Sequence, residues 1–144
     1  MSYFKSLSDK ILECSEKILK DGGYEFEKIE ITNMWGNLLN KGESHSPHTH
    51  SNNILSGVYY LQSGSPIQFF DPRPAATILK PRNTANWDNS GMIQFDSTPD
   101  IALFFPSWLM HWVPSTSEER VSISWNILVR GEYGEPHTFQ NAYI

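Results

Sequence analysis

The chain has 144 residues, about one domain's worth, and its 39% hydrophobic and 13% aromatic content argues for a packed core and against disorder. A net charge of −5 with no basic run excludes duplex nucleic-acid binding by charge alone, so nucleic acid is not an expected partner. A single cysteine, Cys14, excludes an intrachain disulfide and suits a reducing cytosol, and neither a signal peptide nor an apolar run near the ~20 residues of a membrane span is visible.

The first element, residues 1–23, reads as a helix. Phe4, Leu7, Ile11, Cys14 and Ile18 recur at three- and four-residue steps and predict one apolar face, and Gly22 and Gly23 supply the stop. After Gly23 the period changes to two. "YEFEKIEITNMWGNLLN", "ILSGVYYLQ", "PIQFFD", "ATILK", "MIQFD", "DIALFFP" and "RVSISWNILVRG" follow, separated by Gly, Pro, Asn, Asp and Ser clusters. Many short strands after one helix predict an all-β sandwich or barrel over residues 24–130, with the helix packed outside and a polar tail at 131–144. These make a single domain, 1–144. The loop 80–91, "KPRNTANWDNSG", is long enough to serve function; Trp87 and Asp88 on it could close over a substrate.

Three of the five histidines fall in "HSPHTH", just ahead of an apolar run. On an extended segment His48 and His50 point to the same side and can converge on one metal ion. His111 follows an apolar strand inside a Pro-bounded, Trp-rich turn. It is either a buried histidine bonded to backbone or a third ligand brought opposite the first two. Three ligands on one face of a metal, with the other positions open, is the arrangement of non-haem iron oxygenases. His45 reads as a surface residue, and His137 as structural or solvated.

In "RVSISWNI", Arg120, Ser122, Ser124 and Asn126 alternate with Val121, Ile123, Trp125 and Ile127. The polar face is either solvated or turned into a barrel cavity, where the guanidinium would fork onto a carboxylate with Ser122 beside it. If His48 and His50 face inward, parity carries Ser56, Val58 and Tyr60 inward too, unless a bulge intervenes. Trp35 and Asn37 lead to the histidine loop and could line the same pocket.

At these residues the chain resembles the iron(II)- and 2-oxoglutarate-dependent oxygenases. That signature is H-x-[DE], a distant second His, and a basic residue about ten positions further. Here it takes the form His48-Thr49-His50, His111 after 63 positions, and Arg120-Val121-Ser122 nine positions later. More narrowly, "PHTHSNNILSGVYYL", "FFDPRP" and "LFFPSWLMHWVPSTSEERVSISWN" resemble a small group of oxygenases within the superfamily, over roughly residues 34–130. The resemblance implies a double-stranded β-helix, the jelly roll shared with cupins. It implies Fe(II) on His48, His50 and His111, and 2-oxoglutarate with its distal carboxylate on Arg120 and Ser122. Tyr60 and Asn37 are cofactor-pocket candidates. O₂ would be the oxidant, and hydroxylation of a small molecule or side chain, with release of succinate and CO₂, the outcome. The chain departs from the superfamily in having His50 where the carboxylate ligand belongs. Either His50 is the third ligand, or Asp71, Asp96 or solvent completes the sphere. A cupin-like binding protein is the other reading: Gly42 stands six before His48 and Pro106 five before His111, both as in cupin motifs. An exposed sheet edge would let two copies pair.

Overall fold

The structure is a computed structural model and describes residues 2–76 and 78–144. Helix α1, Tyr3–Asp21, starts where Ser2 Oγ accepts the Lys5 amide at 3.3 Å. It stops at Gly22, and Gly23 takes a left-handed φ of 79°. Among the described residues ten strands follow: β1 Lys28–Leu39, β2 His45–His48, β3 Leu55–Gln62, β4 Ile67–Phe70, β5 Met92–Phe95, β6 Ala102–Pro106, β7 His111–Val113, β8 Arg120–Arg130, β9 Glu132–Tyr133 and β10 Ala142–Tyr143. They form two four-stranded antiparallel sheets, ordered β1-β8-β3-β6 and β2-β7-β4-β5, plus the β9-β10 ladder. This is the jelly roll expected from the sequence.

Period-two alternation sets which face each strand shows. The outer face of the β1-β8-β3-β6 sheet carries Leu55, Trp125, Ile127 and Val129, and α1 covers it with Ile11 and Leu19. The inner face turns Val58, Tyr60 and Phe105 toward Ile67 and Phe69 of the other sheet. Gly57 pairs with Trp125 across the β3–β8 ladder, and the indole lies over it. A Cβ there would enter the Trp125 ring and come within 2.8 Å of Leu103 O. Gly57→Ala should therefore overpack the outer core and cost about 2 kcal/mol or more, measurable by urea unfolding of the apoprotein.

Two features differ from the sequence reading, the helix stripe and one expected strand. The buried stripe of α1 is Ile11, Ser15 and Leu19, while Phe4 and Ile18 are exposed. A four-residue step wins because Ser15 is small enough to sit fully buried beneath the helix. In "ATILK", Thr77 lies outside the described residues; the others form no strand and lie in the β4–β5 connection, with Ile78 and Leu79 exposed. β4 and β5 already pair with each other, and Pro72, Pro74 and Pro81 remove backbone donors nearby. The tail is tied down by β9–β10, by paired bonds between Gly131 and Ile144, and by Tyr143 Oη donating to Glu27 at 2.7 Å. Among the described residues, no helix is long and apolar enough to cross a membrane.

Candidate metal centre

His48 ends β2 and His111 begins β7, and the two stand directly opposite each other in the ladder. Their ring centroids are 4.4 Å apart. His50, just past β2, stacks on His111 at 7° between ring planes, with its Nε2 3.2 Å from His111 Nε2. One nitrogen from each of His48, His50 and His111 lies within 4.8 Å of the others.

Two of the rings are fixed from behind. His48 Nδ1 donates to Ser46 O at 2.7 Å, and His111 Nδ1 donates to Leu109 O at 2.8 Å. Carbonyls accept only, so Nδ1 carries the proton and Nε2 of each ring presents its lone pair. Backbone bonding of this kind is how metal-ligating imidazoles are oriented. Two ring nitrogens at 3.2 Å need a proton or a cation between them. A divalent metal at about 2.1 Å from each would hold them near that separation. The donor set therefore fits a metal ion.

Burial grades across the triad: His48 is exposed, His50 half-buried, and His111 4% exposed. Burial pulls the His111 pKa down to about 4 against the upward pull of Leu109 O, and His48, His50 and His45 lower it further. The His50 pKa is lowered by burial and by His48. Unfolding restores the ordinary value of about 6.5, so these groups favour the folded chain fully above that pH and lose that contribution as pH falls toward 4. Apoprotein stability in urea should drop between pH 6.5 and 4, and metal should leave in the same window because ligands must be unprotonated. The slope of stability against pH should flatten in His111→Gln.

Neither carboxylate raised as an alternative ligand stands in the histidine cluster. Asp71 is paired with Arg73, Oδ2 to Nη2 2.7 Å, and Asp96 is exposed; neither belongs to the cluster. His50 occupies the third corner instead.

The triad opens into a cavity of about 430 Å³, walled also by Trp35, Asn37, Val58, Phe105, Arg120, Ser122 and Ser124. The polar face of β8 thus turns inward. Arg120 is 2% exposed, yet it forms no ion pair among the described residues. Its Nε donates to Ser65 O at 3.1 Å, and Nη1 reaches Ser122 Oγ at 3.4 Å. Its guanidinium lies 5.1 Å from the Tyr60 ring centroid. Tyr60 is fully buried beneath it, as parity required, and among the described residues its hydroxyl has no hydrogen-bond partner at bonding geometry, only the Arg120 guanidinium close by. Burial raises the Tyr60 pKa to about 12, so the hydroxyl stays protonated. Gly64 backs this wall; a Cβ there would lie 2.5 Å from Arg120 Cβ and 2.8 Å from Thr116 Oγ1. An unpaired buried guanidinium beside an unpaired buried hydroxyl fits an incoming anion. Asn37 Nδ2 donates to Ser124 Oγ at 2.9 Å, and Trp35 Nε1 donates to Asn37 Oδ1 at 3.1 Å.

His45 is the correction among the histidines. It lines the cavity half-buried, its pKa lowered by burial, by Arg120 and by His48. The ladder of β2 with β7 slips between His45 and His48, and plain alternation does not reveal that slip. Trp87, 70% exposed, and Asp88 do not line this cavity; they border a separate groove with Phe69, Phe70 and Leu109. Ser44, Ser46 and Val113 complete the wall without any signal in their spacing.

Solved structures of similar fold include a Pseudomonas putida prolyl-4-hydroxylase, with TM-score 0.56, 16% identity, and coverage of 81% of this chain and 60% of that one. A 2OG-Fe(II) oxygenase-family oxidoreductase from Burkholderia pseudomallei gives 0.59 at 14% identity, covering 77% and 50%. A viral collagen prolyl hydroxylase from Paramecium Bursaria Chlorella virus-1, solved as a 2OG complex, gives 0.55 at 13%, covering 88% and 74%. The chain therefore spans only 60% and 50% of the first two chains. No curated protein matches the sequence. Residues 33–126, well over half of the chain, match the model of the family "Putative 2OG-Fe(II) oxygenase", and the chain belongs to that family.

Proposed function

We propose that this protein is an Fe(II)- and 2-oxoglutarate-dependent dioxygenase that hydroxylates a small molecule or side chain, with release of succinate and CO₂. The observation that carries the reading is the sharing of one cavity by three convergent imidazoles and a buried arginine with no carboxylate partner. His48, His50 and His111 would hold the iron. When bound, iron and 2-oxoglutarate supply the reduction of O₂ that oxidises the substrate.

The chain's own residues bind, orient and exclude. Arg120 and Ser122 take the distal carboxylate by charge-assisted hydrogen bonds, and the Tyr60 hydroxyl has a proton to add. Tyr60 also supports the guanidinium from below through its ring. Asn37, held by Trp35 and Ser124, stands beside Ser122 in the β1–β8 ladder and gives that wall a fixed polar edge. Val58, Ile67 and Phe105 make the cavity floor apolar, which keeps water from screening the Arg120 contact. The cytosol is the compartment that suits the lone, unpaired Cys14.

The test is anaerobic addition of Fe(II) and 2-oxoglutarate to the apoprotein. A visible metal-to-ligand charge-transfer band should appear only when both are present. Iron binding without that band would favour a cupin-like metal-binding protein.

A further inference from the structure

His50 lies on the loop after β2, His111 begins β7 just past the β6–β7 turn, and Ser107 sits in that turn and bonds the His50 loop. Its carbonyl accepts the His50 amide at 2.9 Å, and its amide donates to Ile54 O at 3.1 Å. Four residues on, the same turn delivers His111. The Ser107 hydroxyl is fully buried and bonds Ser56 Oγ at 2.8 Å. Ser56 Oγ donates its proton to Asn126 Oδ1 at 2.7 Å, so the Ser107 hydroxyl must be the donor to Ser56. Asn126 Nδ2 then donates to Asn33 Oδ1 at 2.8 Å. Asn33 adjoins Thr32, at the irregularity where β1 slips register against β8. The Thr32 hydroxyl donates to Asn53 Oδ1 at 2.6 Å. The chain of bonds thus leaves the His50 loop at one end and returns to it at the other.

We propose that Ser107, Ser56 and Asn126 are positioning residues: a buried hydrogen-bonded clamp that holds His50 Nε2 against His111 Nε2 at metal-binding separation. The inference rests on the three-histidine site proposed above. None of the three side chains belongs to the histidine cluster, so each acts through the backbone it holds. The donor order is fixed from Ser107 through Ser56 and Asn126 to Asn33, and removing one of the two serine hydroxyls leaves a buried neighbour without its partner. The backbone bonds of Ser107 to His50 and Ile54 stay, but the turn that makes them and leads to His111 loses its anchor to β3 and β8.

The test is Co(II) titration of the anaerobic apoprotein, read by affinity and by the visible d–d spectrum, beside urea unfolding without metal. Ser107→Ala and Ser56→Ala should each weaken Co(II) binding about 10- to 100-fold, as loss of an outer-shell partner does, and shift the d–d bands. The double variant should bind no worse than the weaker single, because the two hydroxyls act as one unit. Ser97→Ala is the control: it removes an equally buried serine hydroxyl, one that bonds Gly64 instead. Its affinity should stay within about twofold of the parent. The clamp is overturned if both singles bind as the parent does, or if Ser97→Ala loses as much. Should Ser107→Ala fail to fold, Ser56→Ala and Thr32→Val, at the exposed end of the chain of bonds, decide on the same readout. A parent that binds no Co(II), or a His48→Ala variant that binds it like the parent, would instead sink the three-histidine reading.

Discussion

Arg120→Leu should keep the fold and the iron site and lose 2-oxoglutarate. The guanidinium is 2% exposed and has no carboxylate partner among the described residues. A buried, charge-assisted contact of this kind is worth on the order of 2–5 kcal/mol when one partner is truncated, which is about 30- to several-thousand-fold in affinity. The charge-transfer titration should show that loss directly, and succinate formation without substrate should vanish with it. The apoprotein should be as stable as the parent or more so, since leucine removes an uncompensated buried charge. Lysine should restore part of the affinity, because a point charge cannot fork. Ser122→Ala should cost about 1 kcal/mol, as one hydrogen bond does. If Arg120→Leu binds 2-oxoglutarate like the parent, the cavity takes a different ligand and the cupin-like reading moves ahead.

His48→Ala gives the second large effect, and its cleanness comes from exposure. His48 lies at the open side of the triad, so its loss should change apoprotein stability by no more than about 0.5 kcal/mol. Metal binding should fall below detection, because two ligands remain of three. The parent should gain about 2.7 kcal/mol of unfolding free energy with free metal at about a hundred times Kd, and the variant none. His111→Ala should also abolish binding but destabilise the apoprotein, since its ring fills space between Phe69 and Phe105. Retention of one metal per chain by both variants would reject the assignment.

Alternation made it legible that Arg120, Ser122, Ser124 and Asn126 share one face of β8, but left open whether that face meets solvent or a cavity; the pairing of β8 between β1 and β3 turns it inward. The H-x-H pair was legible because it has local spacing, and His111 because its apolar setting made a solvated role unattractive. Tyr60 followed from parity, since β3 keeps regular pairing from Leu55 to Tyr60. What stayed hidden depends on contacts between distant segments. The helix stripe is chosen by what the sheet offers, so Ser15 displaces Ile18 despite its polarity. "ATILK" has strand-like composition, but Pro72, Pro74 and Pro81 around it remove the backbone donors a strand needs. His45 was misplaced by a register slip that no residue type announces. The Ser56–Ser107–Asn126 bonds join residues 51 and 70 positions apart, and serine and asparagine are too common in turns to mark such partners beforehand.

β8 sits between β1 and β3, although it is the last long strand in the chain. During synthesis, β1 and β3 therefore emerge with bare hydrogen-bonding edges and wait for a strand still inside the ribosome. The Lys28–Arg130 pairing closes across almost the whole sequence, and such non-local closure makes folding slow, typically milliseconds to seconds. Until β8 docks, the chain has the H-x-H loop but neither the arginine nor the Asn126 anchor, so a complete site exists only after that docking. Metal would then select for finished molecules rather than guide their folding. The vulnerable interval is the one before docking, when an apolar β3 edge is open to another chain.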